Sequence, residues 1–252
     1  MTIATTQAKE IVMPKPFTEW TVLPHGKLSR LDDNLLSVTG DLHMPIGDVQ
    51  RRMTVVRLGS SKLVIYSAIA LDEAEMLALE AFGEPAYLIV PNDIHRMDAK
   101  IWKDRYPDLI VVAPAGVHKK VESVVSVDRT AVDFGDPRVE FVTVPGTEEH
   151  EAALVVKTWS GTTLVVNDLI WNLDDRPGFG GWLFHVMGFT GREPRIPTVI
   201  ELREIKDKHA LRQQLTAWAR IPDLNRIIVS HGRIVTRDPS GVLTHLAQAL
   251  AA

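Results

Sequence analysis

The sequence predicts an α+β protein built as a four-layer αββα sandwich: two β-sheets face to face, covered outside by helices, in a single domain over residues 21–252. Three observations carry this expectation. Short apolar runs rich in Val, Ile and Leu recur in both halves of the chain at strand length rather than helix length. Each strand-rich half closes with helical segments, so each sheet has helices available to cover one face. The 252 residues are 45% hydrophobic and 24% charged, enough to bury most of the surface that unfolding exposes without help from disulfide or metal.

The elements follow in chain order. Residues 1–20 read as an irregular arm, because Pro14 and Pro16 oppose helix. Leu36–His43 is the first strand, and Met53–Leu58 and Lys62–Tyr66 form a hairpin around Gly59, Ser60 and Ser61. Asp72 and Glu75 make a capping-box pattern that opens a helix running to Phe82, with Gly83 as its stop. Tyr87–Val90, a helix over Ala99–Arg105 and Leu109–Ala113 give strand, helix, strand at a spacing that implies local parallel pairing. Val139–Val144, Ala153–Lys157 and Thr163–Asn167 are separated only by short turns, an antiparallel meander. Residues 174–198 are rich in Gly, Pro and aromatics and read as irregular or partly helical. The aromatics Trp171, Phe179, Trp182 and Phe184 either line a pocket or cover a sheet edge. Asp207–Ala219 is a helix with Leu211, Leu215 and Trp218 on one face. Arg226–Ser230 is the last strand, and a helix from Ser240 closes the domain.

Composition excludes several functions. With no cysteine there is neither a thiolate ligand nor a cysteine nucleophile, which fits a reducing, cytoplasmic setting. A net charge of −4 gives no general affinity for nucleic acid or anionic membranes, so a small molecule is the expected partner. Met1–Glu10 is polar and is not a signal peptide. Gly178–Gly181 lacks the preceding strand of a dinucleotide loop, and no Gly-x-Ser-x-Gly elbow occurs.

Three segments carry chemistry: Tyr87-Leu-Ile-Val-Pro-Asn-Asp-Ile-His95, Thr163-Leu-Val-Val-Asn-Asp-Leu169 and Arg226-Ile-Ile-Val-Ser-His-Gly232. In order and spacing they resemble the metallo-β-lactamase superfamily, where successive strands end in a histidine-rich loop, in Gly-Asp and in His-Gly. The closer resemblance is to a bacterial subgroup with a Pro-Asn-x-x-His loop, and it covers Met53 to Ala249. The resemblance implies the αββα sandwich and a metal site at the strand ends. The usual His-x-His-x-Asp-His loop is reduced here to one imidazole, His95, and Pro145-Gly146 is followed by Thr147 where the pattern places a histidine. His95, Asp168 and His231 are the implied metal ligands, with Asp168 also the implied catalytic residue. Asn92, Asp93 and Arg96 are the implied substrate-binding residues, and Asp93, Asp98 and His150 are possible additions to the ligand set.

Each residue also has an ordinary structural role to weigh. Asp98 can N-cap the following helix, Asp93 can cap its own turn, His150 can sit at the surface, and His95, Asp168 and His231 can be hydrogen-bonded loop residues. Arg96 adds a positive charge that opposes a cation and suits an anionic ligand. The sequence therefore leaves two functions. The depleted loop puts first a binding protein that has lost its metal and needs no cofactor. The alternative is a mononuclear hydrolase that uses one zinc, iron or manganese ion to activate water against an ester, amide or thioester.

Overall fold

The computed structural model describes residues 15–42 and 48–250. In chain order the elements are β1 (Ser29–Asp32), β2 (Leu35–Leu42), β3 (Val49–Arg57), β4 (Lys62–Tyr66), α1 (Glu73–Phe82), β5 (Glu84–Ile89), α2 (Ala99–Arg105), β6 (Ile110–Val112) and α3 (His118–Glu122). The second half adds β7 (Val139–Thr143), β8 (Ala152–Thr158), β9 (Gly161–Val166), α4 (Gly178–Val186), α5 (Thr198–Glu204), α6 (Lys208–Ala219), β10 (Leu224–Val229) and α7 (Pro239–Ala249). Strands β1 to β6 form one sheet in sequence order, and the second sheet runs β10-β9-β8-β7.

Side-chain alternation along the strands produces the four layers. In β4, Leu63 and Ile65 face outward to Met76 and Leu79 of α1 and Trp102 of α2. Val64 and Tyr66 face inward, where they join Leu154 and Val156 of β8, Val165 of β9 and Ile228 of β10 in the layer between the sheets. On the other outer face, Leu164, Val166, Ile227 and Val229 pack under Leu211, Leu215 and Trp218 of α6 and Leu243 and Leu246 of α7. The stripe expected on α6 is thus a buried face, and the αββα order follows from which face of each strand is odd or even. Among the described residues no helix is long and apolar enough to cross a membrane.

Topology brings the motif segments together. Strands β4, β5 and β6 are parallel to one another, and so are β9 and β10. Strand β3 runs antiparallel to β4, so it begins where β4 ends. The carboxyl ends of β4, β5, β9 and β10 and the start of β3 therefore share one end of the sandwich. Gly232 fixes the turn after β10: its φ is +98°, and a Cβ there would collide with the Asn172 carbonyl.

Several local expectations change in detail. Residues 1–14 of the expected arm, and His43 at the end of the first expected strand, lie outside the described residues. Asp72 caps α1 by accepting from the Glu75 N–H at 2.9 Å, but the box is not reciprocal. The Glu75 carboxylate accepts from the Leu28 N–H instead, and the Asp72 N–H is taken by His25 Nε2. Asp98 stands at the N-cap position of α2 without capping it. Its carboxylate forms a buried ion pair with Arg51 and accepts from the Ala70 N–H at 2.9 Å. A fully desolvated guanidinium nearby outweighs a cap bond that water could otherwise replace.

That difference sets an expected ranking of variants. Asp98→Ala leaves the Arg51 charge buried without its partner and should cost about 3–5 kcal/mol in chemical denaturation. Asp72→Ala removes only a cap and should cost about 1 kcal/mol. Equal losses would show that Arg51 finds solvent when Asp98 is absent.

Candidate metal centre

His95, Asp168 and His231 meet at the shared strand ends, each with a side chain less than a tenth exposed. His95 Nε2 lies 3.1 Å from His231 Nε2 and 3.4 Å from Asp168 Oδ1, and His231 Nε2 lies 3.1 Å from that same oxygen. They are the one cluster among the described residues in which three His, Asp or Glu ligand atoms converge tightly enough to hold a metal ion.

Each member is held by its own local structure. The loop after β5 is built on Asn92, whose Oδ1 accepts from the backbone N–H groups of Ile94 at 3.0 Å and His95 at 2.9 Å. Its Nδ2 donates to Asp168 Oδ2 at 2.7 Å. His95 Nδ1 is 2.7 Å from Ser67 Oγ, just past the end of β4, where Ser67 holds a φ of 57°. His231 Nδ1 donates to the Gln50 carbonyl at 2.8 Å, and the indole of Trp171 stacks on its ring at 4.0 Å and 26°. Arg52 of β3 reaches across to the carbonyls of Val229 and Gly232 and clamps the turn that carries His231. Burial draws the Arg52 pKa down to about 10, which leaves it charged at neutral pH.

The electrostatics follow from this geometry. Burial by itself raises the Asp168 pKa, but the imidazoles of His95 and His231 outweigh it and hold the carboxyl well below its ordinary range. Burial lowers the His95 pKa against the opposing pull of Asp168. His231 Nδ1 donates to the Gln50 carbonyl, and this backbone partner turns Nε2 toward the cluster as the atom available to a metal ion. Asp168 Oδ1 is buried, and the polar atoms nearest it are the Nε2 atoms of His95 and His231.

All three residues line a cavity of about 120 Å³ whose walls are mostly apolar. The other residues expected at the site fall elsewhere. Asn92, Asp93 and Arg96 do not line this cavity. Asn92 lies buried behind Asp168, where it organises the loop. Asp93 pairs with Lys120 and Arg203 rather than capping its turn. Arg96 reaches the Lys120 carbonyl and Ser123 near α3, so its charge is directed to that helix. His150 pairs with Glu204 at 2.9 Å, outside the triad, and Asp98 is taken by Arg51. Of the aromatic group, Trp171 and Phe184 are buried and line the cavity, while Phe179 and Trp182 of α4 stack on each other at 5.7 Å and stay exposed. Ser67 and the Gln50 carbonyl went unread in the sequence, because a serine after a strand and a backbone carbonyl match no motif.

No protein-family model and no curated protein matches the chain. Solved structures do. The metallo-β-lactamase FIM-1 of Pseudomonas aeruginosa in its mono-zinc form superposes with a TM-score of 0.60 at 13% identity, over 90% of this chain and 96% of that one. A metallo-β-lactamase from Hirschia baltica gives 0.57 at 13% identity over 89% and 98%. The metallo-β-lactamase DIM-1 exposed to ceftazidime gives 0.60 at 12% identity over 92% and 100%. At such identities the likeness is one of architecture, and on that ground the chain has a metallo-β-lactamase-like αββα fold.

Proposed function

We propose that the chain is a mononuclear metal-dependent hydrolase, with His95 Nε2, Asp168 Oδ1 and His231 Nε2 as the protein ligands of one zinc, iron or manganese ion. The observation that carries this reading is the shape of the triangle. Four ligands placed tetrahedrally at about 2.0–2.1 Å stand about 3.3–3.4 Å apart. The three edges here are 3.1, 3.1 and 3.4 Å. The burial of Asp168 Oδ1, with the two imidazoles around it and no other donor among the described residues, supports it further, since a buried carboxylate oxygen is costly unless a donor or a cation serves it. When bound, such an ion supplies the Lewis acidity that makes water a nucleophile near neutral pH.

The chain's own residues supply the rest. Asn92 occupies Asp168 Oδ2 and so presents Oδ1 alone to the centre. The Gln50 carbonyl and Trp171 fix the His231 ring, and Ser67 fixes His95. Three protein ligands leave a fourth position open, and because all three residues line the cavity, that position faces the space where an ester, amide or thioester would enter.

Behind the triad lies a second buried carboxyl, Glu151, whose Oε1 accepts the Leu169 N–H at 3.0 Å. Burial, reinforced by the charge on Asp168, pushes the Glu151 pKa well above the ordinary carboxylate value. The negative charge of this pair therefore concentrates on Asp168, where a cation would use it.

Titration calorimetry of the chelated protein with zinc should give one equivalent per chain, and His231→Ala should abolish it. Two tightly held ions would sink the mononuclear reading. No binding would return the binding-protein reading, which the single-histidine loop puts first on sequence grounds. With free zinc about 1,000 times above its Kd, the bound ion adds about 4 kcal/mol of stability. A chelator should then lower the wild-type Tm by on the order of 10 °C and leave the His231→Ala melt where it was.

Glu151 gives a separate expectation in the metal-free protein. A group whose pKa is raised on folding favours the native state at low pH, and that contribution is lost as pH rises through the folded value. Glu151→Gln should therefore track wild type below the ordinary value of 4.5 and gain on it as pH rises. Thermal melts from acid to alkaline pH would check this; a gap independent of pH would show that Glu151 ionises as freely folded as unfolded.

A further inference from the structure

The cavity over the triad carries information about what enters it. Its walls combine Trp171, Phe184 and Phe189 with Met187, Val199 and Ile200, drawn from the ends of β9, α4 and α5. Its polar end holds the triad and Ser67. Two arginines also line it, and both are already paired: Arg51 with buried Asp98, and Arg203 with Asp93 and Glu204. The described lining therefore presents no unpaired cation to an anionic group. The cavity volume is about 120 Å³, against about 150 Å³ for a dry apolar cavity that takes benzene. That is space for about six carbons.

We propose that this cavity is a size-limited binding slot for an uncharged apolar acyl or aryl group of about six carbons, seated with its polar end toward His95, Asp168 and His231. As a statement about substrate it rests on the hydrolase reading: the ester, amide or thioester attacked would carry a short apolar group rather than a charged or long-chain one. As a statement about binding it is independent of metal. The paired arginines leave burial of apolar surface as the driving force, and the cavity volume sets the upper size.

The test uses a neutral ligand series on the full chain without metal, so that no charge on the probe reports on the triad. Ethanol, butanol, hexanol, octanol and decanol are titrated and followed by saturation-transfer NMR. Affinity should rise about fourfold per methylene up to hexanol and then level off, because further methylenes remain in water. Val199→Trp, which fills the slot from α5, should remove the dependence, and Val199→Ala should move the plateau to a longer alcohol. Affinity that is flat with length, or that climbs unchanged through decanol, overturns the proposal, as does a series indifferent to both Val199 variants. The two readings fail separately: zinc binding without a length dependence removes the slot and leaves the hydrolase, and a length dependence without zinc binding does the reverse.

Discussion

The hydrogen bond from Asn92 Nδ2 to Asp168 Oδ2 joins the two halves of the molecule beside the cluster of His95, Asp168 and His231. Asn92 follows β5 in the six-stranded sheet, and Asp168 follows β9 in the four-stranded sheet. The same amide accepts two backbone N–H groups of its own loop, so the position of His95 and the direction of the Asp168 carboxylate are set by one side chain. Buried as it is, this link is a charge-assisted bond whose loss would leave the carboxylate undersatisfied, which makes it expensive to break and geometrically firm.

Around that link the buried charges are handled locally. Asp168 faces two imidazoles, Arg51 faces Asp98, and Arg52 reaches the backbone carbonyls of Val229 and Gly232. Arg51 and Arg52 are adjacent on β3 and so point to opposite faces of the sheet. One meets Asp98 and the other crosses to the second sheet. Two neighbouring cations thus serve two separate tasks: closing the wall of the cavity and holding the turn that carries His231. This end of the sandwich is polar behind the triad and mostly apolar in front of it.

A fold of this kind does not dictate an activity. What distinguishes this chain is economy at the site: one imidazole from the first loop, one from the last, and one carboxylate between them. Three ligands suffice for a single ion with an open position, and the nearest spare candidates have other partners. His150 is held by Glu204, Asp93 by Lys120 and Arg203, and Asp98 by Arg51. None of them stands free to complete a second centre.

By itself the sequence determined what depends on near neighbours in the chain. Alternation of apolar residues set the strands and their buried faces, Asp72 and Asp207 marked where α1 and α6 begin, and Gly232 marked the turn after the last strand. Three motifs at three strand ends were enough to single out His95, Asp168 and His231, because parallel strands of packed sheets bring such ends together. Tertiary structure alone decided the partners. Arg51 and Asp98 are 47 residues apart, Asn92 and Asp168 are 76 apart, and His95 and His231 are 136 apart. A local rule assigned Asp98 to its helix cap, and a desolvated guanidinium claimed it instead. Asn92, Asp93 and Arg96, expected at a ligand, have their side chains on Asp168, on Lys120 and Arg203, and on the Lys120 carbonyl and Ser123. The split of the aromatic segment into buried Trp171 and Phe184 and exposed Phe179 and Trp182 likewise depended on where α4 came to rest. Propensity and periodicity act over a few residues, whereas the satisfaction of buried polar groups is settled only when distant segments meet.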